Sequence, residues 1–193
     1  MIESDLVAAL HPVTDALDAL GVRYYLGGSL ASSAHGVARA SLDVDLIAEL
    51  EGEHLDRFAR RLESAYYVPI DHMRAAVAER RSFNLIHLAT MFKVDVFVSK
   101  GRPFDRQAAE RAQLQTIGEA PHDRGFLVAS PEDTVLAKLE WFRLGGETSE
   151  RQWWDIVGVL KVAAEADRDY LGRWAHALGV SDLLEKALAD ARI

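Results

Sequence analysis

Two aspartates separated by a single residue, Asp43 and Asp45, lie in a stretch that alternates apolar and acidic side chains. In a β-strand, residues two apart point to the same face, so both carboxylates would share one face of a sheet. Strands are depleted in aspartate, and two like charges on one face repel each other unless a cation lies between them. Hard divalent cations such as Mg²⁺ bind carboxylate oxygens. The pair therefore predicts a metal site, and an exposed polar strand face is the alternative.

A third aspartate, Asp95, lies at the centre of a β-branched and aromatic segment, residues 92–98, that is typical of a buried strand. A buried carboxylate without a partner is costly, so Asp95 needs a cation. If its strand lies beside that of Asp43 and Asp45, three carboxylates converge. Such a cluster could hold two metal ions about 3.5–4 Å apart, which is the arrangement that clamps the attacking and leaving oxygens in phosphoryl-type transfer.

Gly28 and Ser29 follow a short predicted strand and begin a short predicted helix. A glycine in such a turn lets backbone N–H groups approach a phosphate, and the serine hydroxyl adds a hydrogen-bond donor. By themselves the two residues are more typical of a simple helix cap than of a phosphate site. Together with the three aspartates, they indicate a site for a phosphorylated ligand.

The elements that must position these residues follow from hydrophobic periodicity and from turn residues. Helices are predicted over residues 5–20, 30–35, 52–65 and 71–80, and strands over residues 23–26, 42–46, 83–88 and 92–98. Residues 103–128 suggest a helix and one or two short strands. From Ser130 onward the pattern is helical, with helices starting near 130 and 148 and covering 168–178 and 181–191. The predicted fold class is α+β: a small mixed or antiparallel sheet flanked by helices, followed by a helical C-terminal segment.

Composition limits the classes of function. The chain has 193 residues, of which 49% are hydrophobic and 27% charged, as expected for one globular domain with a small helical extension. Its formal net charge of -8 argues against a protein that coats nucleic acid. The absence of cysteine excludes thiolate metal sites and cysteine nucleophiles. No leader sequence or membrane-spanning stretch is recognisable, so we expect a soluble, cytoplasmic protein without a membrane partner.

Charged residues in the helical part have two interpretations each. Lys138 lies on the shoulder of an apolar stripe, from which it could reach solvent or lean into a cleft. Arg151 and Asp155 are four residues apart and could form a local ion pair, although arginine before aspartate is the weaker order for such a pair. Asp133 is explained by a helix cap that begins at Ser130. Two further residues, Trp153 and Trp154, are predicted to belong to the core.

The glycine-serine turn, the acid-x-acid pair and the later third acid together resemble the pattern of the polymerase-beta-like nucleotidyltransferase superfamily, over about residues 24–98. The longer pattern is most similar to the abortive-infection (AbiEii-type) branch, which is found among toxin-antitoxin systems. The residues that carry this resemblance are Leu26-Gly27-Gly28-Ser29, His35-Gly36, Arg39, Ser41, Asp43-Val44-Asp45-Leu46, Pro131-Glu132-Asp133, Lys138, Arg151 and Asp155-Ile156. Ser41 stands where many relatives have threonine, and the helical part is shorter than in many members of the branch.

The resemblance implies a nucleotidyltransferase catalytic domain over residues 1–128 and a helical segment over 129–193 that closes the nucleotide cleft. It also implies roles for individual residues. Asp43, Asp45 and Asp95 would bind metal and form the catalytic set, with Asp95 also activating the acceptor. The implied nucleotide-binding residues are Gly28, Ser29, Lys138, Arg151 and Asp155.

The implied reaction is Mg²⁺-dependent transfer of a nucleoside monophosphate from ATP, GTP, CTP or UTP to an acceptor hydroxyl, with two Mg²⁺ ions that Mn²⁺ could replace. The acceptor could be an RNA such as tRNA, a protein side chain or a small molecule, and a cognate antitoxin is a further expected partner. One alternative is a catalytically silent, antitoxin-like binding protein. Another is an antibiotic-modifying nucleotidyltransferase, because a cationic acceptor suits an acidic chain.

Overall fold

A mixed sheet of seven strands organises the computed structural model, which describes residues 2–35, 43–116, 125–163 and 165–192. The strands are β1 (Tyr24–Leu26), β2 (Asp43–Ala48), β3 (Tyr66–Tyr67), β4 (Ser82–His87), β5 (Lys93–Val98), β6 (Gln113–Gln115) and β7 (Phe126–Val128). Their order across the sheet is β3-β4-β5-β2-β1-β7-β6. Strands β2 and β5 are parallel, as are β1 and β7, and the other neighbouring pairs are antiparallel.

Helices connect and cover the strands. They are α1 (Ile2–Leu20), α2 (Gly28–Ala34), α3 (Leu55–Leu62), α4 (Ile70–Ala78), α5 (Pro103–Arg111), α6 (Pro131–Leu144), α7 (Glu150–Val162), α8 (Arg168–Leu178) and α9 (Ser181–Ala191), with one 3₁₀ turn at Gly52–His54. The α+β prediction is confirmed, in its mixed-sheet form. The two-residue strand β3 was not predicted, because so short a segment has no periodicity of its own.

Successive side chains of each strand point to opposite faces of the sheet, and a separate apolar core lies on each face. On one face, Val44, Leu46, Val94 and Val96 pack with buried side chains of α1, α3 and α4. The other face is covered over part of its width by a second core, built from α5 to α9, against which Tyr25 of β1 packs. Because side chains two apart share a face, Asp43 and Asp45 must lie on the side of this second core.

The C-terminal helices lie close to the glycine-serine turn, because α2 contacts both α6 and α7. Helix α5, although it precedes residue 129, contributes Phe104 and Ala108 to the same core as α6 to α9. The division into a catalytic domain and a cleft-closing segment at residues 128 and 129 stays a prediction. In the parts of the chain that the structure describes, no helix has both the length and the apolar character needed to cross a membrane.

Candidate active site

Four charged residues form a rectangle on the face of the sheet that the second core leaves partly open. In the parallel pairing of β2 with β5, Asp43 lies beside Lys93 and Asp45 lies beside Asp95. The burial pattern shows that these four side chains lie opposite the fully buried valines and leucines of the same strands. The structure therefore brings the three predicted aspartates together on one face, with a lysine as the fourth corner.

Lys93 lies between two of the acids. Its Nζ is 2.9 Å from Oδ2 of Asp95 and 3.5 Å from Oδ1 of Asp43. The hydrogen bond to Asp95 is the main reason why the pKa of Lys93 is raised. Sequence reasoning missed this residue, although its position two residues before Asp95 placed it on the same face of the strand.

Asp45 is held against the glycine-serine turn. The backbone N–H of Gly27 donates to the carbonyl oxygen of Asp45 at 2.9 Å. Burial raises the pKa of Asp45, and the neighbouring Asp95 raises it further, while Lys138 and a hydrogen bond from the backbone of Ser29 act in the opposite direction. Asp45 is thus a partly desolvated carboxylate with an acid on one side and hydrogen-bond donors on the other.

Gly28 lies directly against that carboxylate. Its φ of +57° is in the left-handed region that favours glycine, and a Cβ at this position would lie 1.6 Å from Oδ2 of Asp45. No other residue could occupy the position without displacing the Asp45 side chain. The turn needs glycine here because the acid fills the space in which a side chain would lie.

Lys138 and Asp155 connect the helical part to this site. Nζ of Lys138, on α6, is 2.9 Å from Oδ2 of Asp155 on α7, and their side chains are only 11% and 8% exposed. Lys138 therefore leans into the protein rather than into solvent. Arg151 is exposed on the first turn of α7, and its local ion pair with Asp155 stays an interpretation of the spacing.

Aromatic side chains lie next to the carboxylates on the outer side of β5. Phe97, two residues after Asp95 and on the same face, contacts Trp141 of α6 edge to face, with 5.8 Å between ring centroids. Trp141 is 51% exposed. On β4, Asn84 pairs with Asp95 and is exposed. Helix α6 thus reaches the outer side of β5 through Trp141, and Asn84 of β4 lies beside Asp95 on the same part of the sheet.

The fold can now be compared with solved structures. The antibiotic-resistance factor ANT(2'')-Ia superposes with a TM-score of 0.58 at 14% identity, over 95% of this chain and 96% of that chain. An antigenic nucleotidyltransferase-like protein from Paracoccidioides brasiliensis superposes with a TM-score of 0.54 at 17% identity, over 97% and 92% of the two chains. A third structure, TM1012 from Thermotoga maritima, superposes with a TM-score of 0.50 at 16% identity, over 80% of this chain and 96% of that chain.

The chain has a nucleotidyltransferase-like fold. Its sequence matches no protein-family profile and no curated protein. The similarity to solved structures therefore establishes the nucleotidyltransferase-like fold, and the activity has to be argued from the site.

The nucleotidyltransferase-like fold offers oxygen donors of the right chemistry for a divalent cation. Asp43, Asp45 and Asp95 supply only carboxylate oxygens, which are the donors that Mg²⁺ and Mn²⁺ prefer. Within the described residues, however, no three acidic or histidine side chains are gathered tightly enough to enclose a metal ion. The ammonium group of Lys93 lies between Asp43 and Asp95. The donor set fits a metal, and the side chains must rotate to hold it.

Two predictions from sequence need correction on this nucleotidyltransferase-like fold. Trp154 is 68% exposed, so its assignment to the core is wrong, whereas Trp153 packs against Phe142 and the second core. The helix cap does not account fully for Asp133. Its side chain is 1% exposed and accepts hydrogen bonds from Ser130 Oγ and the Tyr170 hydroxyl, each at 2.6 Å.

Asp133 is also part of a charged network with Arg111, whose Nε lies 3.3 Å from Oδ2 of Asp133. Arg111 also pairs with Glu132 at 2.9 Å and lies over the ring of Tyr170. The network joins α5, α6 and α8 and makes Asp133 a structural residue. Three positions of the longer sequence pattern, Gly36, Arg39 and Ser41, lie outside the described residues.

Proposed function

We propose that this chain is a metal-dependent nucleotidyltransferase that moves a nucleoside monophosphate from a nucleoside triphosphate to an acceptor hydroxyl. The observation that carries the proposal is the convergence of Asp43, Asp45 and Asp95 on one sheet face, beside the turn at Gly28, in a nucleotidyltransferase-like fold. Acids gathered at the cost of their own repulsion are typical of functional sites.

The carboxylates would hold Mg²⁺, or Mn²⁺ in its place, and the metal when bound polarises the α-phosphate and stabilises the leaving pyrophosphate. In the transfer, the acceptor oxygen forms a bond to the α-phosphorus while the bond from that phosphorus to the bridging oxygen breaks. Asp95, which the sequence resemblance implies as the activating acid and which lies beside Asn84 on β4, would accept the proton of the acceptor hydroxyl. The protein therefore contributes position and charge rather than a covalent intermediate.

The triphosphate would lie on the opposite side of the carboxylates from Asn84. There the turn at Gly28 and Ser29 lies against the carboxylate of Asp45, and Ser29 would offer a hydroxyl to the triphosphate. Lys138 and its partner Asp155 lie on this side too, as the influence of Lys138 on the pKa of Asp45 indicates. The exposed guanidinium of Arg151 completes the proposed set of nucleotide-binding residues. In-line displacement then requires the acceptor to approach from the β4 side.

The side chains on the proposed acceptor side favour a small molecule as the acceptor. They include Phe97, Trp141 and the neutral Asn84, and Lys93 is already paired with Asp95. An RNA acceptor would need a cluster of free cations for its phosphates. Aromatic side chains with a few polar groups are instead typical of small-molecule sites. ANT(2")-Ia, which has a similar fold, has been solved in complex with adenylyl-2"-tobramycin, so an antibiotic-modifying activity is our second candidate function.

A role in a toxin-antitoxin system is supported only by the sequence resemblance to the AbiEii-type branch. In that case the acceptor would be an RNA such as tRNA or a protein side chain, and a cognate antitoxin would be the partner. The resemblance is carried partly by residues 36–42, which the structure does not describe. We therefore treat the catalytically active enzyme with a small-molecule acceptor as the function to test first.

The test is label transfer. Purified protein is incubated with each of the four α-³²P-labelled nucleoside triphosphates, with Mg²⁺ or EDTA, and with tobramycin, bulk tRNA or the protein alone. We expect label on one acceptor together with pyrophosphate release, only when metal is present. Asp43→Ala and Asp45→Ala should abolish transfer, whereas Asp56→Ala, which removes an exposed aspartate paired with Arg74, should leave it unchanged. Absence of labelling with every acceptor would support the catalytically silent alternative, and full activity of Asp45→Ala would place the chemistry elsewhere.

A further inference from the structure

The three carboxylates of the site already have a cation of their own. Lys93 lies in register with Asp43 across the β2 and β5 pair, and its side chain lies on the same face as Asp95. Its ammonium group contacts both acids, at 2.9 Å from Asp95 and 3.5 Å from Asp43. Because the position of Lys93 is fixed by the pairing of the strands, it accompanies the acids whenever the sheet is folded.

We propose that Lys93 is the second cation of the carboxylate cluster and takes the place of one of the two divalent ions expected there. This inference rests on the proposed nucleotidyltransferase function and deepens it. The chain would then bind one metal ion with its nucleotide, and the ammonium group would supply the other positive charge.

The two cation positions differ in what surrounds them. Asp45 is turned towards Gly28 and the backbone of Ser29, and Lys93 forms ion pairs with the other two acids rather than with Asp45. A metal ion that arrives on the triphosphate therefore meets Asp45 without having to displace the lysine. On the acceptor side, by contrast, the space between Asp43 and Asp95 is where the ammonium group lies.

A divalent ion and the ammonium group exclude each other on the acceptor side. Mg²⁺ needs carboxylate oxygens at about 2.0–2.1 Å, so it would have to occupy the region between Asp43 and Asp95 that Nζ of Lys93 now occupies. Two cations within a few ångströms repel strongly where water is partly excluded, and Asp95 is only 19% exposed. The lysine would have to leave both acids before a second ion could bind.

The experiment is a count of bound metal ions. Mn²⁺ is titrated into the protein in the presence of a saturating α,β-methylene triphosphate, which cannot be cleaved at the α-phosphate, and free Mn²⁺ is measured by electron paramagnetic resonance. The nucleotide base is the one that the transfer assay selects. We expect one nucleotide-dependent Mn²⁺ ion per chain for the wild type and two for Lys93→Met, which keeps the length of the side chain without its charge.

Two controls separate the charge at this position from other effects. Lys93→Arg keeps a cation between the acids and should bind one Mn²⁺ ion. Lys100→Met removes an exposed lysine just beyond the end of β5 and should likewise bind one Mn²⁺ ion. Lys93→Gln serves as a second neutral variant if Lys93→Met folds poorly. A thermal melt in EDTA gives an independent readout, because a neutral residue at position 93 should lower the melting temperature and Mn²⁺ should restore it.

The outcomes distinguish the two proposals. Two ions in the wild type, or one ion in the wild type and in both neutral variants, would overturn the role of Lys93 and leave the proposed nucleotidyltransferase function standing. Failure of any form of the protein to bind Mn²⁺ with the nucleotide analogue would contradict the proposed function itself. One ion in the wild type and in Lys93→Arg, with two in Lys93→Met or Lys93→Gln, would establish the lysine as the second cation.

Discussion

Asp45 and Asp95 are direct cross-strand neighbours, because their Cα atoms pair in the parallel register of β2 and β5. Burial and the proximity of Asp95 together raise the pKa of Asp45. The two acids are not equivalent, however, because Asp95 has an ammonium partner in Lys93 at 2.9 Å. In the metal-free protein, the repulsion between the two acids therefore destabilises the charged form of Asp45 more than that of Asp95.

Neutralising Asp45 should stabilise the metal-free protein. We expect Asp45→Asn to raise the free energy of unfolding at pH 7 in EDTA by about 0.5–2 kcal/mol, as is common when a functional site is relieved of strain. Urea denaturation measures the change. Asp95→Asn is the matched comparison, and it should gain less or lose stability because it gives up the ion pair with Lys93. A strongly destabilised Asp45→Asn would make Asp45 a structural residue.

The gain in unfolding free energy from Asp45→Asn should increase as pH rises. The folded state raises the pKa of this carboxyl above its ordinary value of 3.8, so the folded protein keeps a proton that the unfolded chain has released. Stability of the wild type therefore falls as pH rises from 3.8 through the raised pKa, and the loss is complete above it. The difference in unfolding free energy between variant and wild type should grow over that interval and then level off. A difference that does not change with pH would contradict this account.

The ion pair between Lys138 and Asp155 should be important for stability as well as for nucleotide binding. Both side chains are almost fully buried, so Lys138→Met leaves a buried carboxylate without its ammonium partner. Breaking such a pair from one side costs about 3–5 kcal/mol. The double variant Lys138→Met with Asp155→Leu should recover much of that loss, measured by urea denaturation. A cost below about 1 kcal/mol for the single variant would show that solvent screens the pair.

The hydroxyl of Tyr170 should contribute more to stability than another buried tyrosine hydroxyl of equal hydrogen-bond length. Tyr170 donates to the carboxylate of Asp133 at 2.6 Å, whereas Tyr66 donates to the neutral carbonyl of Ala9 at 2.6 Å. Hydrogen bonds to charged groups contribute about 1.5–3 kcal/mol, against about 1 kcal/mol for neutral pairs. Tyr170→Phe should therefore cost more than Tyr66→Phe in denaturant unfolding at pH 7. If both substitutions lowered the free energy of unfolding equally, the charge of Asp133 would add nothing to the hydrogen bond from Tyr170.

Local patterns were enough to predict most elements and the shared face of Asp43 and Asp45. The period of two places Asp43 and Asp45 on one side of any strand, and β-branched neighbours identify the strand of Asp95. What local patterns cannot provide is the neighbour of each strand. That β2 pairs with β5 in parallel, and in the register that puts Asp45 beside Asp95, follows only from the three-dimensional structure.

Interactions between distant parts of the chain were missed for the same reason. The cap at Ser130 explained Asp133 locally, and nothing near it in the sequence indicates that Tyr170 and Arg111 meet it in space. The partner of Asp155 was sought one helical turn away at Arg151, and the structure places it on another helix at Lys138. Lys93 could have been found from its spacing to Asp95, but only knowledge of the strand order shows that it reaches Asp43 as well.

The parallel pairing of β2 with β5 also has a consequence for how the protein folds. Parallel neighbours cannot be joined by a tight turn, and here the whole of residues 49–92, with two helices and two strands, lies between them. Contacts of such long range form late, because the intervening chain must first be brought together. A nascent chain that has emerged only as far as β2 therefore carries two of the aspartates but has no active site. The capacity to bind metal should appear on the ribosome only after β5 has been synthesised and has paired.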